Sequence, residues 1–214
     1  MIDYIQISYL TFFIAYLLGS LPTAFIVGKL VGKFDIRTKG SKTAGATNVY
    51  RLLGLKPYLF VLFVDMLKGY LAVSLVAKMA LPTFSLINSE LISLLAVVLG
   101  HIFPIFVKFR GGKGVATAYG GFLALVPIPA LIIILIYFVI AFSTKYISLG
   151  SLSAGIALPF VILFVDQESP AIVIVMASVL AAIIVITHIK NIRRLLNNEE
   201  QKTDFFAKSK PSQD

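Results

Sequence analysis

The chain has 214 residues, 58% of them hydrophobic and 14% charged, with a net charge of +9 and no cysteine. Soluble domains sit nearer roughly 45–50% apolar even when glycine is counted, so the composition reads as a polytopic membrane protein. The missing cysteines exclude disulfides and thiolate metal sites, two histidines argue against a dedicated metal centre, and no cofactor is expected. In a chain this apolar, the positive charge points to cytoplasmic loops and anionic headgroups rather than to nucleic acid.

Tyr4 to Leu30 is apolar apart from Ser, Thr and Gln, and is long enough for a first span. It is too long, and lacks a small-residue cleavage site, for a removable leader. Pro22 inside it frees a carbonyl, which predicts a kink there with Ser20 as a local partner. Lys33 to Lys56 carries Lys33, Arg37, Lys39, Lys42, Arg51 and Lys56 against Asp35 alone, so the positive-inside rule places it in the cytoplasm. Pro57 to Ala80 is the second span. Asp65 and Lys68 lie a turn apart within it, about 12 Å along the helix from Pro57. Charges at that depth must pair or face a polar cavity.

Leu81 to Glu90 has no Lys or Arg and reads as an outer loop, and Leu91 to Val107 as the third span. His101, just before Phe103-Pro104, reads as an interfacial histidine capping a broken helix. Val115 to Phe142 fits one long span or two short ones broken at Val126-Pro127-Ile128-Pro129. With one span the basic tail falls outside. With two it falls inside, as the positive-inside rule requires. Tyr146 to Val165 and Pro170 to Ile189 complete seven crossings, N-terminus outside and C-terminus inside. Residues 1–198 are expected to form one membrane-embedded domain, and 199–214 a polar, disordered cytoplasmic tail.

Four polar clusters then face the cytoplasm. Gly40-Ser41-Lys42-Thr43-Ala44-Gly45-Ala46-Thr47-Asn48-Val49-Tyr50-Arg51 offers hydroxyl and amide groups for sugar or glycerol hydroxyls, and an arginine for bidentate phosphate binding. Its bland alternative is a helix start with Thr47 or Asn48 as N-cap. Arg110-Gly111-Gly112-Lys113-Gly114 sets three glycines beside two cations, a pattern suited to a phosphate nest, although GxxxxGK[ST] is absent. Asp65–Lys68 reads as support for such a site. On the final helix, His188 and Asn191 share a face ahead of Arg193 and Arg194. A transporter of a phosphorylated solute is the alternative reading of these embedded charges.

Together these stretches resemble the bacterial acyl-phosphate:glycerol-3-phosphate acyltransferase family (PlsY-type), from the GSLPTAFIVGKL run to Glu199-Glu200. The resemblance implies seven membrane helices. It also implies transfer of a fatty acyl group from acyl phosphate to the sn-1 hydroxyl of glycerol 3-phosphate, at the first step of phospholipid synthesis. It places the site on the cytoplasmic face of the cell membrane, with the enzyme that supplies acyl phosphate as a further partner. Carried over, the catalytic set is Ser41, Arg51, Lys113, His188 and Asn191. The substrate-binding set is Gly40, Thr47, Asn48, Lys68, Arg110, Gly111, Gly112, Gly114 and Glu200. Asp65-x-x-Lys68-Gly69 and Gly100-His101-x-Phe103-Pro104 also match. The HX4D motif of soluble-type acyltransferases is missing: Phe106 and Arg193 stand at that offset from His101 and His188. Three departures stand out: Lys42-Thr43 where the family usually has Gly-Asn, Asn198 where it usually has Gly, and Thr187 where some members carry a basic residue.

Overall fold

The computed structural model describes residues 4–80 and 84–203, with side chains from Tyr9 onward. Every regular element among them is helical: α1 Tyr4–Ser20, α2 Thr23–Leu30, α3 Ala46–Leu53, α4 Leu55–Ser74, α5 Leu86–Ile102, α6 Val115–Leu125, α7 Pro127–Thr144, α8 Ile147–Val165, α9 Ala171–Thr187 and α10 Ile189–Leu196. Short 3₁₀ turns extend α4 over Val76–Ala80 and follow α5 over Ile105–Val107.

Five segments are long and apolar enough to cross a membrane: Tyr9–Leu30, Leu55–Ala80, Leu86–Val107, Pro127–Thr144 and Ile147–Val165. The pair α9 and α10, bent by 61° between Thr187 and Ile189, makes a sixth. Phe63, Leu135 and Phe164 point outward from such segments, more than three-fifths exposed. This suits lipid rather than water.

Local chemistry explains the breaks. Pro22 cannot bond Leu18, so the Leu21 N–H takes that carbonyl instead at 3.3 Å. Ser20 does not fill the role expected of it: its hydroxyl is buried and makes no hydrogen bond among the described residues. Pro127, preorganised for a first helical position, opens α7. The break at Val126 therefore falls as predicted, but its halves are unequal. α6 has 11 residues and α7 has 18, so α6 is about 16 Å long, half a hydrocarbon core. Of the Leu81 to Glu90 stretch, residues 81–83 lie outside the described residues. α5 already begins at Leu86, where the Ser85 hydroxyl accepts from the Asn88 N–H at 3.4 Å.

The described residues form two compact units divided after Gly121. In the first, α4 and α6 meet backbone to backbone. A methyl on Gly69 would overlap the Thr117 carbonyl, and one on Gly120 the Met66 carbonyl. Small residues permit this approach, and it brings the start of α6 beside Lys68. A separate core of Ala24, Val27, Ile36, Ala44, Val49 and Val61 fixes α3 and the loop before it onto α2 and α4. In the second unit α7, α8 and α9 pack in sequence, with Gly155 against Ile184. Residues 199–203 correct the expected disorder. Glu200 and Thr203 are buried, and the Thr203 N–H donates to the Lys145 carbonyl at 2.7 Å. The rest of the tail lies outside the described residues.

Candidate active site

The first unit holds a buried ionic cluster. Lys68 Nζ lies 2.9 Å from Asp65 Oδ1, 2.8 Å from His101 Nδ1 and 3.4 Å from the Leu21 carbonyl. The Thr23 hydroxyl donates to Asp65 Oδ1 at 3.1 Å, and the Thr117 hydroxyl sits 3.2 Å from His101 Nδ1. Asp65 and Lys68 are 2% and 3% exposed, so the pair is neutral overall and each charge keeps hydrogen bonds, as burial demands. The ammonium's three donors all have protein acceptors, which makes Lys68 a support rather than a substrate contact. His101 is likewise corrected: it is buried inside this cluster, not an interfacial cap. Thr23 and Thr117 went unread because hydroxyls within apolar runs have no spacing that marks them.

Beside the cluster runs the glycine loop. Gly111 and Gly112 donate their N–H groups to the carbonyls of Ile102, at 3.2 Å, and His101, at 3.1 Å. They close the C-terminal end of α5 and are committed, which corrects their part in the expected nest. The Gly111 carbonyl accepts from the Ala44 N–H at 3.3 Å, joining the glycine loop to the first loop. A cleft lies here, lined by Thr23, Ala44, Asp65, Lys68, His101, Gly111 and Gly112, among others. Lys113 is half-buried, Arg110 exposed, and Gly114 takes φ +83° just before α6. Lys113 and Gly114 thus precede the N-terminal end of α6, where backbone N–H groups have no helical partner and anions bind well.

The first loop is organised by Asn48. Its Oδ1 accepts from the Ser41 N–H at 2.9 Å, and its amide donates to the carbonyls of Ile36, Thr43 and Lys39 at 2.8, 3.1 and 3.2 Å. It is fully buried. Asn48 is therefore a loop staple, neither substrate contact nor N-cap; Gly45 caps α3. Gly40 has φ +60°, and a Cβ there would overlap Asn48 Oδ1. Lys42 also sits at φ +57°, a backbone state that glycine adopts freely, so the unusual Lys keeps the turn at some strain. The Thr43 hydroxyl pairs with that of Ser41 at 2.8 Å. Ser41, Thr47 and Arg51 are half-buried. Arg37 holds both Asp35 oxygens, at 2.8 and 3.0 Å, and the Val107 carbonyl at 2.8 Å, clasping this loop to the 3₁₀ turn after α5. The Arg37 guanidinium holds the Asp35 carboxyl down at about 2.

The second unit carries the other cluster. His188 joins α9 to α10 with φ −100° and ψ 6°. Its Nδ1 lies 2.8 Å from the Ile184 carbonyl. A carbonyl only accepts, so Nδ1 carries a proton, and in the neutral ring Nε2 is the nitrogen with the lone pair. Glu200 gathers the rest: Asn191 and Ser148 donate to Oε1 at 2.8 and 2.9 Å, and Arg194 to Oε2 at 2.6 Å. Burial raises the Glu200 pKa, but the donors from Arg194, Asn191 and Ser148 together bring it below the ordinary glutamate value. Glu200 thus orients Asn191 and is corrected from substrate contact to support. Asn198 takes φ +58°, the left-handed state asparagine tolerates in place of glycine. Ser148 and Arg194 were missed. Ser148 lies 52 positions from its partner, and in the sequence Arg194 is one of two adjacent arginines with nothing to single it out.

A family model described as glycerol-3-phosphate acyltransferase matches residues 9–198. The chain belongs to the glycerol-3-phosphate acyltransferase family. Similar proteins of that name include one from Fusobacterium nucleatum, 38% identical over 90% of this chain and 96% of its own. Another, from Bacillus cytotoxicus, is 41% identical over 95% and 99%. A crystal structure of PlsY (YgiH), an integral membrane glycerol 3-phosphate acyltransferase in its glycerol 3-phosphate form, is 39% identical with a TM-score of 0.82. It covers 92% of this chain and 96% of its own. The lysophosphatidic acid form of PlsY gives 38% and 0.79 over the same shares. These likenesses support an acyltransferase and not the transporter alternative.

Proposed function

We propose that this acyltransferase moves a fatty acyl group from acyl phosphate to the sn-1 hydroxyl of glycerol 3-phosphate, releasing lysophosphatidic acid and inorganic phosphate. The observation that carries the reading is the likeness to PlsY in two forms, named for acceptor and product of one transfer, over 92% of the chain. The donor is inferred from chemistry and family resemblance. An acyl phosphate is an activated anhydride, so the enzyme works by placing the hydroxyl against the carbonyl and stabilising the departing phosphate. The hydroxyl oxygen bonds to the acyl carbon, the acyl C–O bond to phosphate breaks, and the hydroxyl proton passes to a phosphate oxygen or to His188 Nε2.

In this reading Lys113, the first-turn N–H groups of α6 and the exposed Arg110 hold the donor phosphate. Arg51, Ser41 and Asn191 position glycerol 3-phosphate with Thr47, which stands in the first turn of α3, and His188 orients the acceptor or takes its proton. Transfer is direct, without an acyl-enzyme. The protein crosses the bacterial cell membrane seven times as one membrane-embedded domain, with the site facing the cytoplasm, where the enzyme that supplies acyl phosphate is a partner.

Purified protein in detergent, given palmitoyl phosphate and glycerol 3-phosphate, should release phosphate and lysophosphatidic acid in equal amounts. Lys113→Ala, Arg51→Ala and Asn191→Ala should each remove most of that activity while the protein still inserts. Near-normal rates in all three would remove the proposed site. Turnover with acyl-CoA or acyl-carrier protein alone would replace the donor, and a trapped acylated residue would refute direct transfer.

A further inference from the structure

The reaction as proposed leaves the buried histidine of α5 without a role. Lysine has donors and no acceptor. With Lys68 Nζ at 2.8 Å, His101 Nδ1 must therefore be the acceptor, which puts the ring proton on Nε2. The groups facing that nitrogen are Lys68 and Asp65 from α4, the latter 3.7 Å away, and Thr117 from α6 at 3.2 Å. Nε2, at the far side of the ring, abuts Gly112, where a methyl group would overlap it. The main chain of the same turn takes the Gly111 and Gly112 N–H groups. One ring thus touches the charge pair at one end and the residue before Lys113 at the other.

We propose that His101 is a positioning residue: Lys68 fixes its ring in the Nε2–H form, and the ring is the wall that sets the glycine loop, and with it Lys113 and the first turn of α6. The chain of contacts runs from Asp65 through Lys68 and His101 to Gly112. This inference rests on the acyltransferase reading for the identity of the ligand that feels the loop, the acyl donor. Of the groups that hold glycerol 3-phosphate in that reading, the first loop meets the glycine loop through the Ala44 N–H and the Gly111 carbonyl but takes its shape from Asn48, and Asn191 belongs to the second unit. Loss of the ring therefore weakens the donor selectively.

The test uses the full-length protein in detergent, with His101→Ala and His101→Asn. Asparagine keeps an acceptor near the Nδ1 position without the ring. The KM for palmitoyl phosphate should rise about tenfold or more in His101→Ala while that for glycerol 3-phosphate stays within about threefold. His101→Asn should fold better than alanine yet keep the donor defect. Equal rises in both KM values, or a kcat loss at unchanged KM, would overturn the role. In wild type, ¹⁵N NMR of the imidazole should show a proton on Nε2 and none on Nδ1. This arm needs no substrate and no variant, and an Nδ1–H or doubly protonated ring would overturn the proposal. A wild-type enzyme silent with palmitoyl phosphate would sink the acyl-phosphate donor reading instead, and the ring's protonation would still decide the Lys68 contact.

Discussion

Asn48→Asp separates a loop staple from a substrate ligand. The change keeps shape and keeps the oxygen that accepts from the Ser41 N–H at 2.9 Å. It removes the amide that donates to Ile36, Thr43 and Lys39 at 2.8, 3.1 and 3.2 Å. The amide has two N–H donors shared among these three carbonyls, so at about 1 kcal/mol per donor about 2 kcal/mol is lost. A carboxylate facing three carbonyl oxygens in a fully buried position adds repulsion to that. For a chain of this size about 1 kcal/mol moves the unfolding midpoint by about 2–4 °C, so a loss of at least about 4–8 °C is expected. Thermal unfolding in detergent measures it, with Asn48→Ala alongside. The aspartate should be at least as damaging as the alanine, because alanine introduces no charge. Both KM and kcat should suffer, since Ser41 and Thr43 lose their anchor. A midpoint within about 1 °C of wild type, with only the KM for glycerol 3-phosphate raised, would refute the reasoning and return Asn48 to the substrate.

Other outcomes follow from the same geometry. Glu200→Gln should cost about 2 kcal/mol, because the Arg194 contact at 2.6 Å loses its charge and one of the three donors then faces an amide NH₂. Unfolding midpoints of the single and double variants with Arg194→Ala would show the coupling as non-additive. Gly69→Ala puts a methyl into the Thr117 carbonyl. It should destabilise by about 1–3 kcal/mol, whereas Gly45→Ala, with open space around it, should cost less than about 1 kcal/mol, the loss of a glycine N-cap, by the same assay. The Asp35–Arg37 clasp gives a pH dependence. The folded Asp35 pKa is depressed to about 2 from 3.8, so its stabilisation is present above about pH 4 and is lost as pH falls through about 2. Wild type should lose more of its unfolding midpoint over that window than Arg37→Ala does.

The membrane class, the breaks at Pro22 and Pro127 and the residue types of the polar clusters were legible in the sequence because each rests on local chemistry, whereas the 61° bend between Thr187 and Ile189 was not. Apolar runs longer than a bilayer, a proline without an N–H and a lysine-rich loop carry the same meaning wherever they occur. Asn198 can stand where the family usually has Gly because asparagine tolerates the left-handed state it takes at φ +58°. The short polar motifs, in their order, were enough to suggest the family.

What each polar residue touches was settled only by tertiary structure. A glycine pair beside a lysine implies a nest on paper, yet Gly111 and Gly112 spend their N–H groups on the end of α5. Asn48, Lys68 and Glu200 looked like ligands because a sequence shows donors and acceptors without showing who satisfies them. Folding brings carbonyls 5 to 12 positions away onto Asn48 and a serine 52 positions away onto Glu200. His101 needed the backbone approach of α4 and α6 at Gly69 and Gly120 before Lys68 and Thr117 could reach one ring nitrogen. Residue type limits the bonds a group can make, and only the packing of distant segments decides which of them are already made.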